Sequence, residues 1–183
     1  MNKMNGVSIE AQLKLEMTLR QLYSVYLHLR DHDLSEKSNT SRLLHEDSHG
    51  YLVSRLADEL QELAQVQSGE HVHTEKQEDT VLEGSQVSYW LFLLAAITNQ
   101  LFDDFMPHTA LLKGYTSPYS EETPIELSQE CLKLLATGDS IEVRRGLQTG
   151  FSFVGWACAV AGVSPLAPAE FDLAQMRRKG LVE

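Results

Sequence analysis

The stretch Thr80-Val81-Leu82-Glu83-Gly84-Ser85-Gln86-Val87-Ser88-Tyr89-Trp90-Leu91-Phe92-Leu93-Leu94-Ala95-Ala96-Ile97 decides how this chain folds. Wound at about 100° per residue, its apolar side chains cover the whole circumference of a helix. Val81, Leu82, Val87, Tyr89, Trp90, Leu91, Phe92, Leu93 and Leu94 leave no polar stripe. Such a helix belongs at the centre of a bundle. Thr80-Val81-Leu82-Glu83 reads as a capping box that opens it, and Pro107 as the residue that closes it. Glu83, Gln86 and Trp90 share one side of this rod. A carboxylate on a buried face needs a partner, because an unpaired buried charge is costly.

The preceding helix, predicted from about His49 to Gln67, supplies candidates. Leu52, Leu56, Leu60 and Leu63 define its apolar face, and Ser68-Gly69 ends it. Glu59 falls inside that face, Glu62 lies at its border and Asp58 further out. Glu70 to Asp79 reads as a charged loop. Packed antiparallel, the two helices would set Glu59 and Glu62 opposite Glu83 and Gln86. Crowded carboxylates raise one another's proton affinity, and a hard divalent cation reverses that. Oxygen-only ligands favour Mg²⁺ or Mn²⁺ over Zn²⁺. The plain alternative is that Glu83 only serves a helix end and Asp58 is a solvated charge.

Further out the pattern stays helical. Ser8 is a plausible N-cap for a helix carrying Ile9, Leu13, Leu15, Leu19, Leu22, Tyr23, Tyr26 and Leu27. His32 to Thr40 breaks the pattern, and Lys113 to Ser120 reads as a loop. Thr123-Pro124-Ile125-Glu126 is a second capping box, for a helix that stops at Gly138. Asp139 with Glu142 starts the next, which ends near Gly162, and a short helix over Ala169 to Lys179 finishes the chain. No run alternates with period two for long enough to claim a strand. The expectation is one all-α domain over residues 1–183, a bundle of about six helices. Its motif-bearing core spans about 46–106 and a C-terminal helical extension about 123–183. The small residues Gly146, Gly150, Gly155, Ala157, Ala159, Ala161 and Gly162 fit tight core packing, or a subunit interface.

Composition limits the partners. A net charge of −11 argues against a nucleic-acid polymer or an anionic membrane. Residues 31–83 hold thirteen of the 26 Asp and Glu. Cys131 and Cys158 read as buried thiols. The N-terminal residues show no secretion signal, and Phe151 to Val163 is too short to cross a bilayer, so a cytoplasmic protein is expected.

Asp58-Glu59-x-x-Glu62, followed by Glu83-x-x-Gln86 and Val87-Ser88-Tyr89-Trp90-Leu91, resembles the MazG-like all-α nucleoside triphosphate pyrophosphohydrolases. Dimeric dUTPases and phosphoribosyl-ATP pyrophosphohydrolases are relatives within that superfamily. The likeness covers roughly Leu52 to Ala96. It implies Mg²⁺-dependent attack of water between the α- and β-phosphates, releasing a monophosphate and pyrophosphate. By the resemblance, Glu59, Glu62 and Glu83 match metal ligands, and Asp58 matches an acid that assists metal binding or activates water. Gln86 stands where the family has Asp, so one negative charge is lost and a weaker metal site follows. A homodimer or higher homo-oligomer is expected. The rival reading is a catalytically weakened or inactive helical binding or regulatory protein of the same fold.

Arg55, Lys113, Arg144 and Arg145 are candidate phosphate contacts, and Trp90 a candidate base-stacking residue, with solvated or core roles the simpler readings. His45-Glu46-Asp47-Ser48-His49 matches the zinc-protease pattern in letters alone. Gly50 follows at once and no third ligand stands at the expected place, so the match is read as chance. His71-Val72-His73 lies in the charged loop and reads as exposed, with substrate contact the alternative.

Overall fold

The computed structural model describes residues 3–4, 6–46 and 48–181. Among the described residues, a small antiparallel ribbon, β1 (Lys3–Met4) and β2 (Val7–Ser8), precedes nine helices. These are α1 (Ile9–Asp31), α2 (Asn39–Glu46), α3 (His49–Ser68), α4 (Lys76–Ile97), α5 (Phe102–Phe105), α6 (Pro107–Thr116), α7 (Thr123–Ala136), α8 (Ser140–Ala161) and α9 (Ala167–Arg178). The all-α expectation holds. The ribbon was not expected, since two-residue strands are too short to carry an alternating pattern.

Several boundaries follow caps legible in the sequence. The Ser8 and Ser48 hydroxyls accept from the Ala11 and Tyr51 amides, and the Asp139 carboxylate accepts from Ile141 and Glu142. Gly69 and Gly162 close α3 and α8 in the left-handed region.

Others correct the sequence reading. α4 begins at Lys76, so Thr80 is a buried interior residue whose hydroxyl accepts from Gln67 Nε2 at 2.8 Å, not an N-cap. α4 stops at Ile97, well before Pro107. Asn99 adopts φ 56°, and the Tyr23 hydroxyl donates to the Gln100 carbonyl at 2.6 Å. Pro107 therefore opens α6, where its missing N–H does no harm. Lys113 lies inside α6 and not in a loop. The second capping box is not formed: α7 has no side-chain cap, and Thr123 Oγ1 accepts instead from the Ser120 amide. The short helices α2, α5 and α6 account for the excess over six.

α4 packs against α1, α3, α8 and α9, and Leu91 to Ala96 are fully buried, as an all-round apolar helix requires. Among the described residues it is the one helix long and apolar enough to cross a membrane, and 72% of that window is buried in the fold. α8 is the second central rod, against α4, α6 and α7. Its small residues serve contacts within the chain. A Cβ on Gly155 would run into the Leu111 carbonyl, and one on Gly114 into the Ser152 carbonyl. The glycines of the stripe read as a possible subunit interface face α7 (Gly146), α4 and α7 (Gly150) and α6 (Gly155). Cys131 and Cys158 are free and buried, which pushes each thiol up to about 12.

Candidate metal centre

The α3–α4 hairpin is antiparallel: Arg55 lies over Trp90, Glu62 and Glu83 share a cluster, and Gln67 bonds Thr80. Leu52, Leu56, Leu60 and Leu63 are fully buried on the inner face of α3. That register carries Glu59 inward, to 5% exposure, while the α4 packing buries Glu83 to 1%. Glu62 stays half-exposed at the mouth. One carboxylate oxygen from each of Glu59, Glu62 and Glu83 lies within 4.8 Å of the others. The expected meeting of three glutamates across one cleft is therefore present.

Burial raises the Glu59 proton affinity first, and the Glu62 and Glu83 charges add to it. Arg55 and a hydrogen bond from Trp90 oppose that rise. Burial likewise raises Glu83, with Glu62 adding, while His71 and His73 oppose. Two acids held protonation-prone by burial, and next by the Glu62 charge, form a site that a small cation would relieve.

The loop between the helices contributes more than the sequence reading allowed. His71 is three-quarters buried, with Nε2 3.6 Å from Glu83 Oε1 and 3.9 Å from Glu62 Oε2. His73 Nε2 lies 3.6 Å from the same Glu83 oxygen, and the two Nε2 atoms are 2.8 Å apart. The expectation of simply exposed histidines fails for His71. The reason is Asp79, a residue not singled out in the sequence. Its carboxylate accepts from the amides of His73 (2.9 Å) and Thr74 (3.1 Å) and from the Thr74 hydroxyl (2.9 Å). Burial would raise Asp79, yet these donors outweigh it and hold the acid below the usual range. An acid in the first turn that binds backbone upstream of it is a detectable signal, once the helix start is set at Lys76 and not at Thr80.

The remaining site residues divide. Arg55 reaches Asp58 at 2.7 Å and Glu59 at 3.3 Å, and its guanidinium sits 5.6 Å from the Trp90 ring centre. Asp58 is more than half exposed and lies outside the acid cluster, paired to Arg55. Trp90 is buried, at 8% exposure, edge-on to Tyr89 and bonded to Glu59, which is a supporting position. Gln86 is half-buried, with its amide nitrogen 3.5 Å from Glu83 Oε2. Lys113 is not brought to the cleft. It lines a separate cavity of about 530 Å³ between α6, α7 and α8, together with Glu126, Arg145 and Trp156. Arg144 and Arg145 pair with Asp104 and Glu142. His45 lies in the last turn of α2 and His49 starts α3, with His49 Nε2 2.7 Å from the Leu135 carbonyl, so the zinc-protease pattern is split between two helices. Asp47 of that pattern lies outside the described residues.

Searches of protein-family models, curated proteins and solved structures return no match to this chain.

Proposed function

We propose that this protein is a divalent-cation-dependent hydrolase of the MazG-like type. Its substrate is a nucleoside triphosphate or related phosphoanhydride, cleaved to a monophosphate and pyrophosphate. The observation that carries the reading is the convergence of Glu59, Glu62 and Glu83 within 4.8 Å, two of them buried and prone to hold protons. That donor set fits Mg²⁺ or Mn²⁺, which prefer carboxylate oxygens. Glu59, Glu62 and Glu83 would hold the ion, with the Gln86 carbonyl oxygen as a weaker donor if its amide turns. When bound, such an ion neutralises phosphate oxygens and makes a bound water more acidic.

The chain's own groups do the rest. Trp90 orients the Glu59 carboxylate through its indole N–H. Arg55 stands at the rim between Asp58 and Glu59, where a phosphate oxygen could compete for its guanidinium. Asp58, exposed beside it, suits orienting water better than ligating metal. The buried wall of Leu56, Leu60 and Leu63 limits water behind the acids. An assembly of several copies remains part of the proposal. One apolar surface that could serve it is on α1, where Ile9, Leu13 and Met17 are exposed.

A panel of nucleotides with pyrophosphate detection tests the reading. Release should require Mg²⁺ or Mn²⁺ and should vanish in Glu59→Gln. No release from any nucleotide with either ion leaves the second reading, a helical binding protein with a weakened site. Gln86 favours that second reading, because an amide stands beside Glu83 where a fourth carboxylate would strengthen cation binding. Gln86→Asp should therefore raise metal affinity and turnover together.

A further inference from the structure

We propose that His71, His73 and Glu83 form a second cation position that takes a transition-metal ion of the Zn²⁺ class. It goes beyond the hydrolase reading and does not need it, although the two positions share Glu83. The donor types differ from the carboxylate triad: two imidazole nitrogens and one carboxylate oxygen. Imidazole suits Zn²⁺ and its neighbours, whereas all-oxygen sets suit Mg²⁺.

The geometry is that of converging ligands. The two Nε2 atoms lie 2.8 Å apart, and each is 3.6 Å from Glu83 Oε1. Around a tetrahedral ion with bonds of about 2.0–2.1 Å, neighbouring donors sit about 3.3 Å apart. The three observed separations straddle that value. The rings stand at 90° to each other with centroids 4.4 Å apart, so neither blocks the other's nitrogen. Three protein ligands leave one position open, next to Glu62 Oε2 at 3.9 Å from His71.

One further observation points to a ligand, and a second fixes the loop that would supply its donors. Glu83 is 1% exposed, and its ion-pair partners among the described residues are these two imidazoles, with no Lys or Arg. A buried carboxylate without a permanent cation is an uncompensated charge. In addition, the segment carrying the histidines is held in place by Asp79, which binds the His73 amide itself. That hydrogen bond fixes the loop backbone that presents both imidazoles.

The test uses tag-free, metal-stripped full-length protein titrated with Co²⁺ as a spectroscopic stand-in for Zn²⁺. A visible d–d band of a low-coordinate site should saturate at one ion per chain, and Zn²⁺ should displace it. His71→Ala and His73→Ala should each weaken Co²⁺ and Zn²⁺ binding by at least about tenfold. The exposed position of His73 makes His73→Ala safe for folding, which circular dichroism verifies. Glu59→Gln should leave the band in place. A colourless titration, or affinities unchanged in both histidine variants, overturns the site. If the band forms as described and no nucleotide releases pyrophosphate, the hydrolase reading fails and this site stands. Metal-dependent release without the band overturns this site and leaves the hydrolase reading in place.

Discussion

The α6–α8 contact and the α3–α4 cleft are built on opposite terms. In the first, Gly114 and Gly155 let two helix backbones touch, with each glycine against a carbonyl of the other helix. At those two points backbone meets backbone, and there is no room for a methyl group. In the second, helices that could have packed apolar faces together instead bring Glu59, Glu62 and Glu83 to one point. Close packing is what a fold does for stability. Gathering like charge in a buried place works against it, and persists where the charge is used. The difference separates a contact that serves the fold from the acid cluster on which the proposed function rests.

The largest break in this comparison should come from the glycine side. Gly155→Leu forces a side chain into the Leu111 carbonyl, and Gly155→Ala already lacks room. Urea unfolding should show a loss of about 1–3 kcal/mol for the alanine and more for the leucine. A change within error would mean that α6 and α8 do not touch there. Asp79→Ala comes next. It removes three hydrogen bonds that anchor the histidine segment, for an expected loss of about 1–2 kcal/mol. Metal-ion affinity should fall with it, and an unchanged affinity would show that the loop is not held by Asp79.

On the cleft side the sign reverses. Glu83→Gln and Glu59→Gln relieve repulsion, so the metal-free protein should gain roughly 2–4 °C in Tm, the shift that about 1 kcal/mol produces at this chain length. The same variants should lose the Tm rise that millimolar Mg²⁺ or Mn²⁺ gives the unaltered protein. A fall in metal-free Tm would mean the carboxylates are stabilising and the cleft is an ordinary polar core.

The smallest effect is in pH. Glu59 and Glu83 have folded-state affinities raised above the ordinary value of 4.5. Their protonated forms favour folding at low pH, and that contribution is lost as pH rises through the raised values. The stability advantage of a Glu59→Gln, Glu83→Gln double variant should therefore grow as pH climbs from about 4.5. Saturating Mg²⁺ should flatten the dependence in the unaltered chain. An advantage that stays constant with pH would mean that neither burial nor repulsion perturbs these acids in the folded chain.

Much of this was legible in the residues. Periodicity at Leu52, Leu56, Leu60 and Leu63 put Glu59 inward, and the all-round apolar cover from Val87 to Leu94, broken by Ser88 alone, put α4 at the centre. Ser8, Gly69, Asp139 and Gly162 marked ends by cap chemistry that acts within a few residues. The errors lie where a local signal competed with a distant one. Thr80-x-x-Glu83 has the letters of a capping box, but Asp79 and Lys76 extend the helix a turn upstream. Pro107 has the chemistry of a helix end and of a helix start alike. Lys113 has the charge for a phosphate and lies on the wrong helix for this cleft.

What the chain alone determined is its helical class and the facing of its acids, because both depend on spacing along one rod. Tertiary structure decided which of those acids meet, that two histidines from a polar loop join Glu83, and that Asp58 does not. Those outcomes rest on the turn between α3 and α4 and on hydrogen bonds from Asp79 across it. Contacts between separate elements have no period along the chain from which they could be read.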